Sequence, residues 1–271
     1  MAKKSIEVAG RMVSYIEEGS GEPLLYLHGY ADVHGVAGDL QPFHDALAKN
    51  NRLIAPAHPG CDATSDLNDG YTPDDLVFHY LEFADAMGLK QFDLVGHCAG
   101  GWIAAEIAVR HPERVKRLGL IGASGLFVSN ELIGDIFMHS QPERGVDYTT
   151  LRQMLFSAAD SPLAQRFYPD GRGDIDEEVR RYQMLRFGSY IGFKPPYFYN
   201  RSLLSRLHRA SMPALIVWGA EDHMVPVAHA HAYAKGLPGS GAALLVPGAG
   251  HAVHLESPDA VAKAFADFLK S

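Results

Sequence analysis

The chain has 271 residues, 47% of them hydrophobic, enough to bury a large core as one α/β domain or as a domain with a sizeable insertion. Its formal net charge is -8 and no run of lysine or arginine occurs, which argues against a nucleic-acid or anionic-membrane surface. Two cysteines, Cys61 and Cys98, allow at most one disulfide, and no Cys or His spacing implies a metal: His251 and His254 have no third ligand nearby.

The first residues, Met1 to Lys4, lead into Ser5-Ile6-Glu7-Val8 and not into an apolar leader, and no stretch reaches the length of a membrane span, so a cytoplasmic location is expected. Residues 4–8 and 11–17 read as two strands joined at Gly10. Pro23 to Leu27 is a buried strand running into His28-Gly29-Tyr30-Ala31, which taken alone is an ordinary strand-to-loop turn. Arg52 to Pro56 is the next strand. Thr72 to Met87 reads as a helix, with Pro73 in its first turn, Asp74 and Asp75 at its positive end, and Gly88 to stop it.

Phe92 to Val95 is an apolar run, and Trp102, Ile103, Ala105 and Ile107 recur at helical spacing, so a strand and a helix meet across Gly96-His97-Cys98-Ala99-Gly100. A reversal that tight strains its central residue and leaves no room for a Cβ at Gly96 or Gly100. The thiol of Cys98 is then left projecting above the sheet. His111-Pro112 ends the helix and Arg117 to Ile121 is another buried strand. The strand and helix alternation from 23 to 121 predicts a parallel sheet with helices on both faces.

From about Phe127 to Leu207 the pattern turns helical and polar and is dense in aromatics, among them Phe137, Tyr148, Phe156, Phe167, Tyr168, Phe187, Tyr190 and Phe193. Any one of them can simply pack the insertion down; together they point to an apolar pocket and a ligand with an apolar or aromatic body. Gly171-Arg172-Gly173 and Lys194-Pro195-Pro196 read as turns, and Arg186 as a surface ion-pair partner or a carboxylate anchor. Ala214 to Trp218 and Ala243 to Val246 are the last strands, and Ser257-Pro258 opens a final helix.

The segment G-H-C-A-G resembles the nucleophile elbow of the α/β-hydrolase family, with cysteine in the usual serine position. Two further segments strengthen that resemblance: W-G-A-E-D-H-M-V-P around Asp222, and G-H-A-V-H-L-E-S-P around His251. The order nucleophile, acid, histidine agrees with the family. The resemblance implies an α/β-hydrolase core from 1–126 and 208–271, a helical cap from 127–207, and a triad of Cys98, His251 and Asp222. It also implies oxyanion donors at the backbone N–H groups of Tyr30 and Ala99, with cap aromatics such as Phe137, Tyr190 and Phe193 near the substrate.

Chemistry agrees with these roles, since a thiol of pKa near roughly 8.5 needs a base or an imidazolium to act as thiolate at neutral pH. Glu221 competes with Asp222 as the acid, whereas Cys61, His97, His223 and His254 read as packing or surface residues. The expected activity is hydrolysis of a small ester, lactone or thioester, without cofactor or metal. The expected partner is a small molecule, with neither nucleic acid nor membrane, and a homodimer is left open. A carbon-carbon bond hydrolase of the meta-cleavage-product type shares this topology, although Tyr30-Ala31-Asp32 and Ala252 depart from its pattern; a non-catalytic receptor on the same fold is the third reading. Cys98 reads either as a native cysteine nucleophile or as a replacement for serine.

Overall fold

The structure is a computed structural model that describes residues 3–67, 72–136, 148–171, 174–192 and 198–270. Its strands are β1 (Lys4–Val8), β2 (Arg11–Glu18), β3 (Glu22–Leu27), β4 (Asn51–Pro56), β5 (Phe92–His97), β6 (Val115–Ile121), β7 (Ala214–Gly219) and β8 (Leu244–Val246). They form one sheet in the order β1-β2-β4-β3-β5-β6-β7-β8. β2 runs antiparallel to both β1 and β4, and every pair from β4 onward is parallel. The helices are α1 (Pro42–Ala48), α2 (Pro73–Ala86), α3 (Ala99–Arg110), α4 (Tyr148–Leu155), α5 (Pro162–Phe167), α6 (Ile175–Gly192), α7 (Leu203–Arg206), α8 (Val227–Gly236), α9 (Val253–Glu256) and α10 (Pro258–Lys270).

Parallel strands need crossovers, and these helices supply them on both faces. α1 and α10 pack together over a cluster that includes Leu24, Tyr26, Phe43, Val95, Ile121 and Phe265. α2, α3 and α8 cover the other face, with Leu25, Tyr80, Leu94, Trp102, Leu120 and Tyr233. Neighbouring strand residues thus go to opposite clusters, Leu94 to one and Val95 to the next, as the two-residue period of a strand requires. β5 is buried along its whole length, which fits its central place in the sheet.

The helix starts follow local chemistry. Thr72 caps α2 by accepting the N–H of Asp75 at 3.3 Å, while Asp75 Oδ2 accepts the N–H of Thr72 at 2.7 Å, and Gly88 stops the helix with φ +73°. Two elements were not anticipated. α1 is only 7 residues long, and α8 alternates alanine and histidine, so neither carries a strong apolar period.

Between β6 and β7 the described residues hold helices and isolated bridges but no named strand. α4 and α6 sit over the C-terminal rim of the sheet: Leu155 O accepts the N–H of Ala252 at 2.8 Å, and Phe187 on α6 stacks on His58 at 4.1 Å. No helix among the described residues is long and apolar enough to cross a membrane.

Candidate active site

Cys98 stands between β5 and α3 with φ 53° and ψ -117°, a left-handed conformation that costs a non-glycine residue free energy. The flanking glycines make the turn feasible. A Cβ on Gly96 would lie 2.4 Å from Gly100 O, and one on Gly100 would lie 2.0 Å from Leu27 O. Cys98 itself is buried, and its backbone is pinned on both sides: its N–H donates to Ile121 O at 3.0 Å, and its carbonyl accepts Trp102 N–H at 3.0 Å. Its place as N-cap residue of α3 puts it at the positive end of a buried helix.

His251 lies in the loop after β8, fully buried, with Nδ1 2.8 Å from Asp222 Oδ2. The other oxygen of Asp222 accepts the N–H groups of Met224 at 2.9 Å and Val225 at 2.8 Å, so the carboxylate is fixed before it meets the ring. Nδ1 is therefore the donor to Asp222, and Nε2 is buried without a hydrogen-bond partner among the described residues. Burial on its own would lower the His251 pKa, but the Asp222 carboxylate and the Cys98 sulfur outweigh it and raise the imidazolium's pKa. Glu221 is not brought to the ring: its side chain accepts Gly248 N–H at 3.1 Å instead. His223 is exposed.

The loop that carries Tyr30 presses on the elbow that carries Ala99. A Cβ on Gly29 would sit 2.3 Å from His97 Nδ1 and 2.9 Å from Cys98 Cβ, so only glycine allows this approach. Ala99 is the first residue of α3, where an N–H has no acceptor within the helix. His28 and His58 fasten the loop to the end of β4, through His58 N–H to His28 Nε2 at 3.0 Å and His58 Nε2 to His28 O at 2.8 Å.

Comparison with known proteins matches the chain to a family. A family model described as alpha/beta hydrolase fold covers residues 22–258. The chain belongs to the α/β-hydrolase fold family.

Within the family, the chain is 29% identical over 280 residues to the dihydrolipoyllysine-residue acetyltransferase component of an acetoin cleaving system from Pseudomonas putida, covering 99% of this chain and 70% of that protein. It is 25% identical over 272 residues to 2-hydroxy-6-oxo-6-(2'-aminophenyl)hexa-2,4-dienoic acid hydrolase from Metapseudomonas resinovorans, covering 98% and 90%. Among solved structures, a meta-cleavage product hydrolase from Pseudomonas fluorescens IP01 superposes with a TM-score of 0.76 at 22% identity, covering 98% of this chain and 97% of that one. These relatives and fold neighbours include meta-cleavage product hydrolases, and lipases occur alongside them.

Other anticipated residues of this α/β-hydrolase-fold chain lie apart from Cys98, His251 and Asp222. Phe137, Phe193 and the turn at Lys194-Pro195-Pro196 lie outside the described residues, as do Arg172 and Gly173. Tyr190 is partly buried, with the Arg186 guanidinium 5.1 Å from its ring centroid, and Arg186 is ion-paired to Asp66. Cys61 is buried with its sulfur 3.6 Å from Met184 Sδ, and burial pushes its thiol pKa far up, which makes it unreactive.

Several contacts around these residues were not anticipated from the sequence. Burial raises the pKa of both Tyr30 and Tyr168, the latter on the segment after α5, and the nearby Cys98 sulfur adds to it. These two tyrosines line a small pocket with Tyr148, Leu151 and Met184. The Tyr30 hydroxyl is buried and has no hydrogen-bond partner among the described residues. A larger apolar cleft of about 330 Å³, lined by Leu126, Phe127, Ile133, Phe198 and Tyr199, includes none of the triad. Glu256, the glutamate of the G-H-x-x-x-x-E segment, accepts Gly250 N–H at 2.6 Å and Ser157 N–H at 2.9 Å, which ties the histidine loop to the segment that follows α4.

His97 and His254, expected as packing or surface residues, are fully buried and gather around Asp32. Their ligand-type atoms and a carboxylate oxygen of Asp32 lie within 4.8 Å of one another, a grouping the i, i+3 spacing of His251 and His254 could not reveal.

Proposed function

We propose that the protein hydrolyses a small ester, lactone or thioester through a covalent acyl-enzyme on Cys98. The thiolate of Cys98 attacks the carbonyl carbon and forms the S–C bond, while the backbone N–H groups of Tyr30 and Ala99 hold the oxyanion. His251 gives its Nε2 proton to the departing alkoxide or thiolate. It then takes a proton from water, whose hydroxide attacks the thioester and releases the acid and the thiolate. Asp222 keeps the ring in the tautomer that directs Nε2 toward the sulfur.

What supports this reading most is the His251–Asp222 contact at 2.8 Å beside an elbow cysteine held at φ 53°. The segment 127–207 serves in this reading as a cap over the sheet rim, and its aromatic content suits a substrate with an apolar or aromatic body. A reducing compartment, the cytoplasm, keeps the thiol free. Incubation with p-nitrophenyl acetate and short-chain thioesters tests the reading: turnover that disappears in Cys98→Ala supports it, and intact ligand with binding alone contradicts it.

A second reading is carbon-carbon bond hydrolysis, favoured by the likeness to the Metapseudomonas resinovorans hydrolase across 98% of this chain. Assay of a 2-hydroxy-6-oxo-hexadienoic acid beside the esters separates the two by which class is turned over.

A further inference from the structure

Behind the reacting groups, one buried carboxylate gathers the loops that carry them. Asp32 Oδ2 accepts the Tyr26 hydroxyl at 2.7 Å and the Gly29 N–H at 3.1 Å, and Oδ1 accepts the Val33 N–H at 2.7 Å. Three histidines close around it. His44 Nε2 on α1 lies 3.1 Å from Oδ1, His254 Nε2 on α9 lies 3.5 Å from Oδ1, and His97 Nδ1 at the end of β5 lies 3.4 Å from Oδ2. His97 in turn reaches the backbone carbonyl of His251 through Nε2 at 3.2 Å. All four side chains are fully buried.

The protonation pattern makes this a set of donors around one anion. Burial would raise the Asp32 pKa, yet His254 and His44 outweigh it and hold the carboxyl well below the usual range. Burial and the neighbouring His254 lower His97 to about 3, so its ring is neutral. His44 Nδ1 accepts the Gln41 N–H at 3.1 Å, which places its proton on Nε2, facing Asp32. A carboxylate offers about four lone-pair sites. Tyr26, Gly29 and Val33 take three, and His44, His254 and His97 face the remaining edge of the carboxylate at 3.1, 3.5 and 3.4 Å.

We propose that Asp32 is a positioning residue that sets the oxyanion loop against the nucleophile. The inference rests on the acyl-enzyme reading given above. Asp32 clamps the N–H of Gly29, one peptide before the Tyr30 N–H, and clamps Val33 on the far side of the same turn. It also bears on His97, the residue before Cys98, which touches the Gly29 backbone and holds the His251 carbonyl. A buried charge costs free energy that an apolar side chain of similar volume would not, so stability alone does not call for a carboxylate here. Its partners are instead the oxyanion loop, the elbow and the histidine loop.

The test separates oxyanion stabilisation from thiol reactivity. Ester hydrolysis needs the oxyanion site, whereas alkylation of Cys98 by iodoacetamide passes through no oxyanion. Asp32→Asn keeps the shape but loses the charge and one acceptor. It should lower kcat for p-nitrophenyl acetate roughly ten- to hundredfold with KM changed less than about threefold, and leave the alkylation rate near wild type. Tyr26→Phe, a milder change should the Asn variant fail to fold, should lower kcat by about two- to fivefold with alkylation again unchanged. Wild-type kcat in both variants, or equal losses of turnover and alkylation, overturns the role of Asp32 alone. A wild-type protein that forms no Cys98 adduct overturns the acyl-enzyme reading and this role with it.

Discussion

Asp222 turns one carboxylate oxygen to the His251 ring at 2.8 Å and the other to the N–H groups of Met224 and Val225. An acceptor fixed in this way selects the tautomer with the proton on Nδ1. Asp222→Asn would present an amide in the same place and favour the wrong tautomer. We expect kcat to fall roughly a thousand- to ten-thousandfold with the melting temperature nearly unchanged. Ester assays beside thermal melts measure both, and near wild-type turnover would remove Asp222 from the mechanism.

Cys98 lies in the turn after β5, where it borders the larger apolar cluster, and His251 lies in the loop after β8, so neither belongs to a strand. Cys98→Ala and His251→Ala should each reduce turnover by at least about a thousandfold while the far-ultraviolet circular dichroism stays native. Retained activity in either variant would show that another group does the chemistry.

Acid should destabilise the fold through its buried histidines. Burial is the first cause in each case, and it lowers His58 and His97 from 6.5 to about 3 and His79 to about 4. The sign follows from linkage: these rings are neutral when folded and take up protons when unfolded, so their contribution is whole above pH 6.5 and is lost as pH falls toward the folded values. Each group removes up to about 1.4 kcal/mol per pH unit below its unfolded pKa. Urea midpoints should therefore drop steadily from pH 7 to pH 5, and a flat profile would contradict the neutral buried rings.

Tyr30 buries a hydroxyl with no partner among the described residues, which is costly unless something else uses it. Tyr30→Phe keeps the ring and the backbone N–H. It should leave stability unchanged or raise it by up to about 1–3 kcal/mol, read as a higher melting temperature. A lower melting temperature would mean that the hydroxyl is bonded in solution.

The elbow was legible in the sequence because its physics is local. Gly96 and Gly100 admit no Cβ, and Cys98 between them has no freedom to sit elsewhere. Asp222 and His251 were legible through the resemblance of W-G-A-E-D-H-M-V-P and G-H-A-V-H-L-E-S-P to the family's segments. The Asp32 cluster was not, because Asp32, His44, His97 and His254 come from four separated segments and meet only through folding; burial, not spacing, is their signal. Short α1 and the alanine-histidine pattern of α8 were missed for want of a full apolar period, and Tyr168 was read only as one aromatic of the insertion because nothing local ties it to Cys98.

Cys98 as the atom that carries the acyl group is the claim on which the account turns. Brief reaction with p-nitrophenyl acetate, an acid quench and peptide mass mapping read it directly. We predict the mass gain of one acetyl group on the peptide bearing Cys98 and none on that bearing the buried Cys61. Steady turnover with an unmodified Cys98 peptide, or an adduct that persists in Cys98→Ala, would contradict it.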